Sequence, residues 1–211
     1  MKNNGKTLRV LAMSLVAAFL MTSCCNETEN TAKIDNGKIA LETIMTRTSI
    51  RSFTERPVSA DTIELLLRAG MAAPTAVNKQ PWHFAVVTDR AVMDSLGGNG
   101  RQSQMWKQSP LAIAGCGDME KALECPAKDF WIQDCSAATE NILLAAHALG
   151  LGAVWTGCYP IEERMANVSQ VLGLPENIVP FSVIVMGYPA ENPQPKDKWK
   201  SENVSYNGFG Q

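Results

Sequence analysis

Two arginines four residues apart form a chemical pattern near the start of the chain's body. Arg47 and Arg51 enclose Thr48-Ser49-Ile50, so two guanidinium groups and two hydroxyl groups share one short segment. Guanidinium groups bind phosphate through paired, charge-assisted hydrogen bonds, and hydroxyl groups donate further ones. The segment therefore suits a phosphate monoester, although two arginines at this spacing also occur on many solvated surfaces.

A second polar segment lies between a predicted helix and a predicted strand. It runs from Ala73 to Trp82 (APTAVNKQPW), and its two prolines stiffen it. The amides of Asn78 and Gln80 can both donate and accept hydrogen bonds, as the edge of a heteroaromatic ring requires. Taken singly, the segment is better explained as a turn followed by a core tryptophan.

Hydrophobic periodicity predicts the elements that position these two segments. Ser59 is a suitable N-cap for the helix before the second segment, and Pro74 ends that helix. The longest predicted helix, Lys128 to Leu149, carries only Glu140 as a charge after Asp134, so we expect it in the core or at a subunit interface. Helices are predicted over 39–46, 59–72, 89–98, 128–149 and 161–172, and strands over 83–88, 111–117, 153–156 and 181–186.

Two segments depart from this pattern. Residues 97–109 (GGNGRQSQMWKQS) are glycine-rich and polar, and we expect a mobile flap there. The tail after Gly187 is polar and proline-rich, yet it holds Trp199, Tyr206 and Phe209, which need a surface to cover them. An arm wrapped on a neighbouring subunit explains these aromatic residues better than a disordered tail does.

Length and composition restrict the class of protein. The chain has 211 residues, of which 45% are hydrophobic, as expected for one globular domain with a sizeable core. Its formal charge of −2 offers no cationic surplus for nucleic acid. The GxSxG, HExxH and Walker motifs are absent, and Glu120 breaks the dinucleotide fingerprint that Gly115 and Gly117 would begin. We predict no catalytic side chain, so any redox chemistry must come from a bound cofactor.

The first residues predict an export signal. Lys2, Lys6 and Arg9 precede an apolar run over 10–21, which is shorter than the roughly 20 residues that cross a bilayer. The run ends in LMTSC, which is similar to the bacterial lipobox, so we expect lipidation of Cys24. An ordinary signal with a chance cysteine is the less favoured alternative. The predicted organisation is a lipoprotein signal over 1–23, a flexible tether over 24–37 and one domain over 38–211, anchored to a membrane of the cell envelope outside the cytoplasm.

Four cysteines lie in the predicted domain: Cys116, Cys125, Cys135 and Cys158. No CxxC pair occurs, and neither histidine has metal-ligand spacing to them, so no metal site is predicted. Cys116 and Cys158 stand in apolar, strand-like segments, where a buried free thiol is the usual finding. We expect inert thiols, and one disulfide remains the alternative for an exported chain.

The two polar segments, in this order, resemble the nitroreductase family of FMN-dependent oxidoreductases. The likeness starts with R-x-S-x-R and is most specific over 72–82, which matches A-A-P-[ST]-x-x-N-x-Q-P-W. It continues through Gly150-Leu151-Gly152, Trp155-Thr156-Gly157 and Met186-Gly187-Tyr188-Pro189 and covers about residues 38–206.

The resemblance implies an α+β fold, a nitroreductase-like three-layer sandwich with a mixed central sheet flanked by helices. It also implies a homodimer that exchanges C-terminal arms and binds FMN at its interface. The residues implied at the phosphate and ribityl end are Arg47, Thr48, Ser49 and Arg51, with Lys198 of the arm where many relatives carry an arginine. The residues implied beside the ring are Trp155, Thr156 and Gly157 of one subunit and Pro74, Thr75 and Asn78 of the other.

The activity implied is ping-pong transfer of electrons from NAD(P)H through FMN to a nitroaromatic, a quinone or a similar electron-poor acceptor. Two alternatives remain open. Relatives of this fold also dehalogenate, dehydrogenate peptides or cleave flavin, and residues 102–106 match the family poorly. The chain could also be a lipid-anchored flavin-binding protein without turnover, because NAD(P)H is scarce outside the cytoplasm.

Overall fold

A computed structural model describes residues 36–100 and 102–209 of the chain. The chain divides into two compact units, residues 1–45 and 46–211. Helix α1 occupies residues 36–46 and contains the described part of the first unit. The predicted signal over 1–23 and the predicted tether lie outside the described residues, apart from residues 36 and 37, which already belong to α1.

The second unit contains a four-stranded sheet in the order β1-β2-β4-β3. Its strands are β1 (Trp82–Val87), β2 (Leu111–Asp118), β3 (Gly152–Gly157) and β4 (Ile178–Gly187). All three strand pairs are antiparallel. Every residue of β2 is buried, because this central strand is covered on both faces.

Five further helices surround the sheet: α2 (Ala60–Met71), α3 (Arg90–Gly97), α4 (Ser103–Gln108), α5 (Phe130–Ala148) and α6 (Glu162–Leu172). Alternate residues of β2 pack against different helices. Ala112 and Ala114 share a core cluster with residues of α3, α4 and α6. Leu111 and Ile113 share another with residues of α2 and α5. Helices therefore cover both faces, which confirms the predicted three-layer α+β fold.

The sheet has less parallel pairing than the predicted mixed sheet, because its three strand pairs are all antiparallel. In the described part of the chain, the parallel component is one isolated bridge, in which Ser49 pairs with Ala153 of the edge strand β3. The Ile50 N–H donates to the Ala153 carbonyl at 3.1 Å on the same edge. The chain from Arg47 to Arg51 is thereby fixed beside β3.

The predicted flap over 97–109 is partly ordered, since it contains α4. Met105 and Trp106 of α4 are buried in the core, and this apolar pair fixes an otherwise polar segment. Arg90 holds the end of α4, because its guanidinium donates to the carbonyls of Trp106, Lys107 and Ser109 at 2.7 to 3.1 Å.

Among the described residues, no helix is long and apolar enough to span a bilayer.

Gly152 is the residue of β3 against which Ile50 of the arginine segment packs. A Cβ built there would lie 2.6 to 2.9 Å from three side-chain carbons of Ile50, which is closer than real Cβ contacts. Ile50 is itself 8% exposed, so it has little room to withdraw. The missing side chain of Gly152 is what allows the two backbones to pair.

We expect Gly152→Ala to lower the free energy of unfolding by about 1–3 kcal/mol, because overpacking forces Ile50 and its backbone to shift. Urea unfolding measures the change. Gly100→Ala is the control, since a Cβ there meets no atom within 4 Å. Equal stability of the two variants would contradict the seating of Ile50 on Gly152.

Candidate active site

The arginine segment, residues 47–51, has several polar groups that form few hydrogen bonds or ion pairs with the rest of the described chain. The Arg47 side chain is 17% exposed, and its Nε lies 3.6 Å from Glu140 Oε1 on α5. Arg51 is exposed. The hydroxyl groups of Thr48 and Ser49 form no hydrogen bond within the described part of the chain. Two cations and two hydroxyl donors are therefore available together to an anion.

Glu191 fixes the end of this segment, and sequence reasoning missed it. Its Oε1 accepts hydrogen bonds from the backbone N–H groups of Arg51 and Ser52. The Ala190 N–H donates to the Ser52 carbonyl at 2.9 Å, which adds a backbone bond at the same place. The start of the C-terminal tail is thus joined to the arginine segment across about 140 residues of sequence, and no local pattern signals such a pair.

The end of β3 leaves a backbone N–H on an open edge. Cys158 N–H donates to the Phe181 carbonyl of the β4 side at 3.0 Å. Because successive residues of an antiparallel strand point their N–H and C=O groups to opposite sides, those of Gly157 point away from β4. The Ala153 carbonyl obeys the same alternation, since it faces Ile50 on that edge. A Cβ at Gly157 would meet no atom within 4 Å, so the space beside it is open.

The two residues before Gly157 are held by β4 and the core. The Thr156 hydroxyl donates to the Val183 carbonyl at 2.6 Å. The half-buried Trp155 ring packs edge-on against Phe181 with 5.5 Å between ring centroids. Both side chains are therefore fixed. The Gly157 N–H remains free at the last residue of β3, since the Gly157 carbonyl accepts from Arg164 Nη1 at 3.0 Å.

A cavity of about 760 Å³ opens beside Gly157. Its volume lies within the range of small-molecule and cofactor sites. Thr156 and Gly157 are the predicted site residues that line it, and Arg47, Arg51 and the loop over 74–80 do not. The remaining wall comes from the end of α3, the segment leading into α4, and α6, including Leu96, Gly97, Gln102, Trp106, Arg164 and Asn167.

The second polar segment has a strained backbone. Val77, Asn78 and Gln80 have φ of 43°, 59° and 51°, values that non-glycine residues rarely adopt and β-branched ones least of all. Asp134, 6% exposed on α5, holds this conformation by accepting from the Ala76 N–H at 2.9 Å. Backbone strain that a buried carboxylate maintains is typical of a functional loop.

The other predicted residues of this loop also contribute to its shape. Thr75 Oγ1 accepts from the Gln80 N–H at 3.1 Å, and Asn78 Oδ1 accepts from the Gln80 side chain at 3.0 Å. Pro74 and Asn78 are exposed. The loop therefore presents a rigid polar edge to the surface of the single chain.

Lys198, in contrast to these residues, has no polar partner that fixes its side chain within the described residues. It lies on the exposed tail and forms no hydrogen bond or ion pair within the described residues. The tail's aromatic side chains are also uncovered: Trp199 is 70% exposed, Tyr206 79% and Phe209 98%. No surface within residues 36–100 and 102–209 of the single chain covers them.

Comparison with known proteins identifies the family. The model of the nitroreductase family matches residues 44–98 and 98–188, which is more than half of the chain. The chain belongs to the nitroreductase family. A candidate NADH dehydrogenase/NAD(P)H nitroreductase of Methanothermobacter thermautotrophicus is 45% identical over 178 residues, with 82% of this chain and 91% of the relative covered.

Solved structures of nitroreductases have the same fold. A candidate NADH dehydrogenase/NAD(P)H nitroreductase of Bacteroides thetaiotaomicron is 45% identical and superposes with a TM-score of 0.75 over 81% of this chain and 98% of its own. A candidate nitroreductase of Desulfovibrio desulfuricans, solved in complex with FMN, is 32% identical with a TM-score of 0.68 over 81% and 97% of the two chains. The names of these relatives support an oxidoreductase, as the sequence predicted.

The thiols of this nitroreductase are free within the described residues, and three of the four are buried. Burial raises the pKa of Cys116 and of Cys135 to about 12 and that of Cys158 to about 11. A thiol reacts as its thiolate, so these three are inert near neutral pH. Cys125 is exposed.

We expect one fast-reacting thiol per folded domain. With Cys24 and Cys25 replaced by serine, a disulfide reagent at pH 8 should modify Cys125 rapidly and the buried thiols only on unfolding, because their thiolate fraction is about 10⁻³ or less. Absorbance of the released reagent counts the thiols. Cys125→Ser should abolish the fast phase, and a fast phase that survives would contradict the assignment of the buried thiols as inert.

Proposed function

We propose that this nitroreductase is an FMN-dependent oxidoreductase that passes electrons from NAD(P)H to nitroaromatic, quinone or similar electron-poor acceptors by a ping-pong mechanism. The observation that carries the proposal is the unpaired backbone N–H of Gly157, which lines the cavity and lies on the same strand edge as the arginine segment. A flavin with a phosphate tail needs a hydrogen-bond donor at the edge of its ring and cationic donors at its phosphate, spaced along one surface.

The residues present fit FMN. At the proposed phosphate end, Arg47 and Arg51 supply positive charge, and the hydroxyls of Thr48 and Ser49 are unused. At the proposed ring end, Gly157 has no side chain, and a Cβ built there would meet no atom within 4 Å, so the space against its backbone is open. The complex of the Desulfovibrio relative with FMN supports the same cofactor.

FMN would supply the redox chemistry, since it accepts a hydride from NAD(P)H and delivers two electrons to the acceptor. For a nitroaromatic the balance is ArNO₂ + NAD(P)H + H⁺ → ArNO + NAD(P)⁺ + H₂O. The chain's residues would bind and orient the cofactor. Arg47 and Arg51 would hold the phosphate, and the Gly157 N–H would donate to the ring edge. No side chain needs to act as a nucleophile.

A homodimer is part of the proposal. The strained loop over 74–80 presents Thr75 and Asn78 at the surface, where they can complete the ring site of a second copy. The uncovered aromatic side chains of the tail support an arm that packs on that copy, because burying such side chains releases about 1.5–3 kcal/mol each. Lys198 would then reach the partner's phosphate site.

We expect purified protein to carry FMN and to lose its visible flavin absorbance when NADH or NADPH is added without oxygen. Addition of a nitroaromatic or a quinone should restore the absorbance, as a ping-pong cycle requires. Arg47→Ala/Arg51→Ala should weaken FMN binding by about 100-fold or more, because two charge-assisted interactions of about 1.5–3 kcal/mol each are lost. Flavin fluorescence measures the dissociation constant.

Arg68→Ala/Lys128→Ala is the matched control, since it removes two positive charges from exposed positions outside the site. It should bind FMN as the wild type does. Retention of FMN by the Arg47/Arg51 variant would refute the phosphate assignment. Tight FMN binding without reduction by any donor would instead favour a flavin-binding protein without turnover.

We also propose that the protein is a lipoprotein of the cell envelope. The support is the sequence before and at Cys24, a basic start and an apolar run that end in a lipobox-like LMTSC. Cys24→Ser should shift the protein from the membrane fraction to the soluble fraction, with Cys25→Ser as the control that stays bound. Membrane fractionation and incorporation of labelled palmitate measure the change, and unchanged fractionation of Cys24→Ser would overturn the anchor.

A further inference from the structure

Arg164, in the first turn of α6, has no role in the function proposed above. Its Nη1 donates to the Gly157 carbonyl at 3.0 Å, on the open edge of β3. No ion pair joins Arg164 to an acidic group within residues 36–100 and 102–209. The cavity beside Gly157 is therefore lined by a tethered cation that has no internal counter-ion.

The two acidic residues nearest in sequence form no ion pair with Arg164. Glu162 and Glu163 precede Arg164 in α6, and each step along an α-helix turns by about 100°. Glu162 does not line the cavity, and Glu163 does. Because Arg164 is tied to Gly157, it is the charge held at the site where the proposed flavin edge lies. Glu163 is exposed and forms no hydrogen bond or ion pair in the described chain.

The rest of the cavity suits a flat organic molecule. The buried Trp106 ring, Leu96 and Val168 provide apolar wall. Gly97 brings the backbone against Trp106, since a Cβ there would lie 2.5 Å from two of its side-chain carbons. The amides of Gln102 and Gln170 add donors and acceptors along the rim. An aromatic ring with one anionic substituent matches this combination.

We propose that Arg164 binds the anionic group of the electron acceptor, and that the preferred acceptors are planar aromatic compounds bearing a carboxylate. The inference rests on the proposed function and specifies its substrate class. The guanidinium keeps one N–H on Gly157 and has its remaining N–H groups free for a carboxylate. The fixed carbonyl contact orients the side chain before the acceptor arrives, which reduces the entropy cost of binding.

The test compares two acceptors of equal shape and different charge, 4-nitrobenzoate and 4-nitrobenzamide, in the full FMN-loaded protein with NADH. The wild type should have a higher kcat/KM for the benzoate. Arg164→Gln should lower kcat/KM for the benzoate about fivefold, mainly through KM, and change the value for the benzamide by less than about twofold. Arg164→Lys should recover part of the preference, since it restores charge without the planar fork.

Two further measurements separate charge recognition from a general disturbance. Glu163→Gln should act in the opposite direction and raise the preference for the benzoate, because it removes the anion that lines the same cavity. Unreactive benzoate should perturb the visible flavin spectrum with a dissociation constant that rises about fivefold in Arg164→Gln. FMN content and circular dichroism of each variant report whether it is folded and loaded.

The outcomes distinguish this inference from the proposed function. Protein without FMN, or without electron transfer to any acceptor, would refute the proposed function. Normal turnover with equal efficiency for the two nitro compounds, unchanged in Arg164→Gln, would overturn the inference alone. A change confined to the KM for NADH would also overturn it, and would assign Arg164 to the phosphates of the nucleotide donor.

Discussion

The site depends on one backbone contact, the pairing of Ser49 and Ile50 with Ala153 at the edge of β3. This contact joins the two ends of the proposed flavin site, because the arginine segment lies beside the strand whose far end carries Gly157. Gly152 makes the contact sterically possible. The edge of an antiparallel sheet has unpaired N–H and C=O groups, and here the start of that edge is paired with the chain while its end is left for a ligand.

Charge and strain are distributed around this edge in a consistent way. Glu140 and Glu191 orient the arginine segment through a side chain and through backbone N–H groups, respectively. Asp134 holds the strained loop over 74–80 from within α5. Three carboxylates thus fix the shape of the polar surfaces, while the side chains of Arg51 and Arg164 form no ion pair in the described chain. Two cationic side chains therefore remain unpaired around this edge, with Glu163 unpaired in the cavity, although the whole chain has a formal charge of −2.

The resemblance of the sequence to the nitroreductase family was sufficient to predict the layers of the fold, whereas the assignment of the site residues remains a prediction and their spatial relations could not be derived. Periodicity located all four strands, because each is apolar and bounded by polar or glycine-rich segments. It failed at Met105 and Trp106, since two apolar residues in a polar stretch carry no period of their own. Glu191 and Arg164 were also missed. Their partners, Arg51 and Gly157, are recognised through backbone groups, which the identity of neighbouring residues does not reveal.

The fold keeps the three buried cysteines unreactive, including the one beside the proposed redox site. Cys158 directly follows Gly157 and lines the cavity, and Cys135 Sγ donates to the Cys116 carbonyl at 3.6 Å within the core. A thiolate at these positions could exchange electrons or form adducts with a nearby oxidant. Desolvation raises the pKa of all three thiols far above neutral pH, so each remains a small apolar side chain. Burial therefore gives the core its packing and at the same time keeps these three thiols protonated near neutral pH.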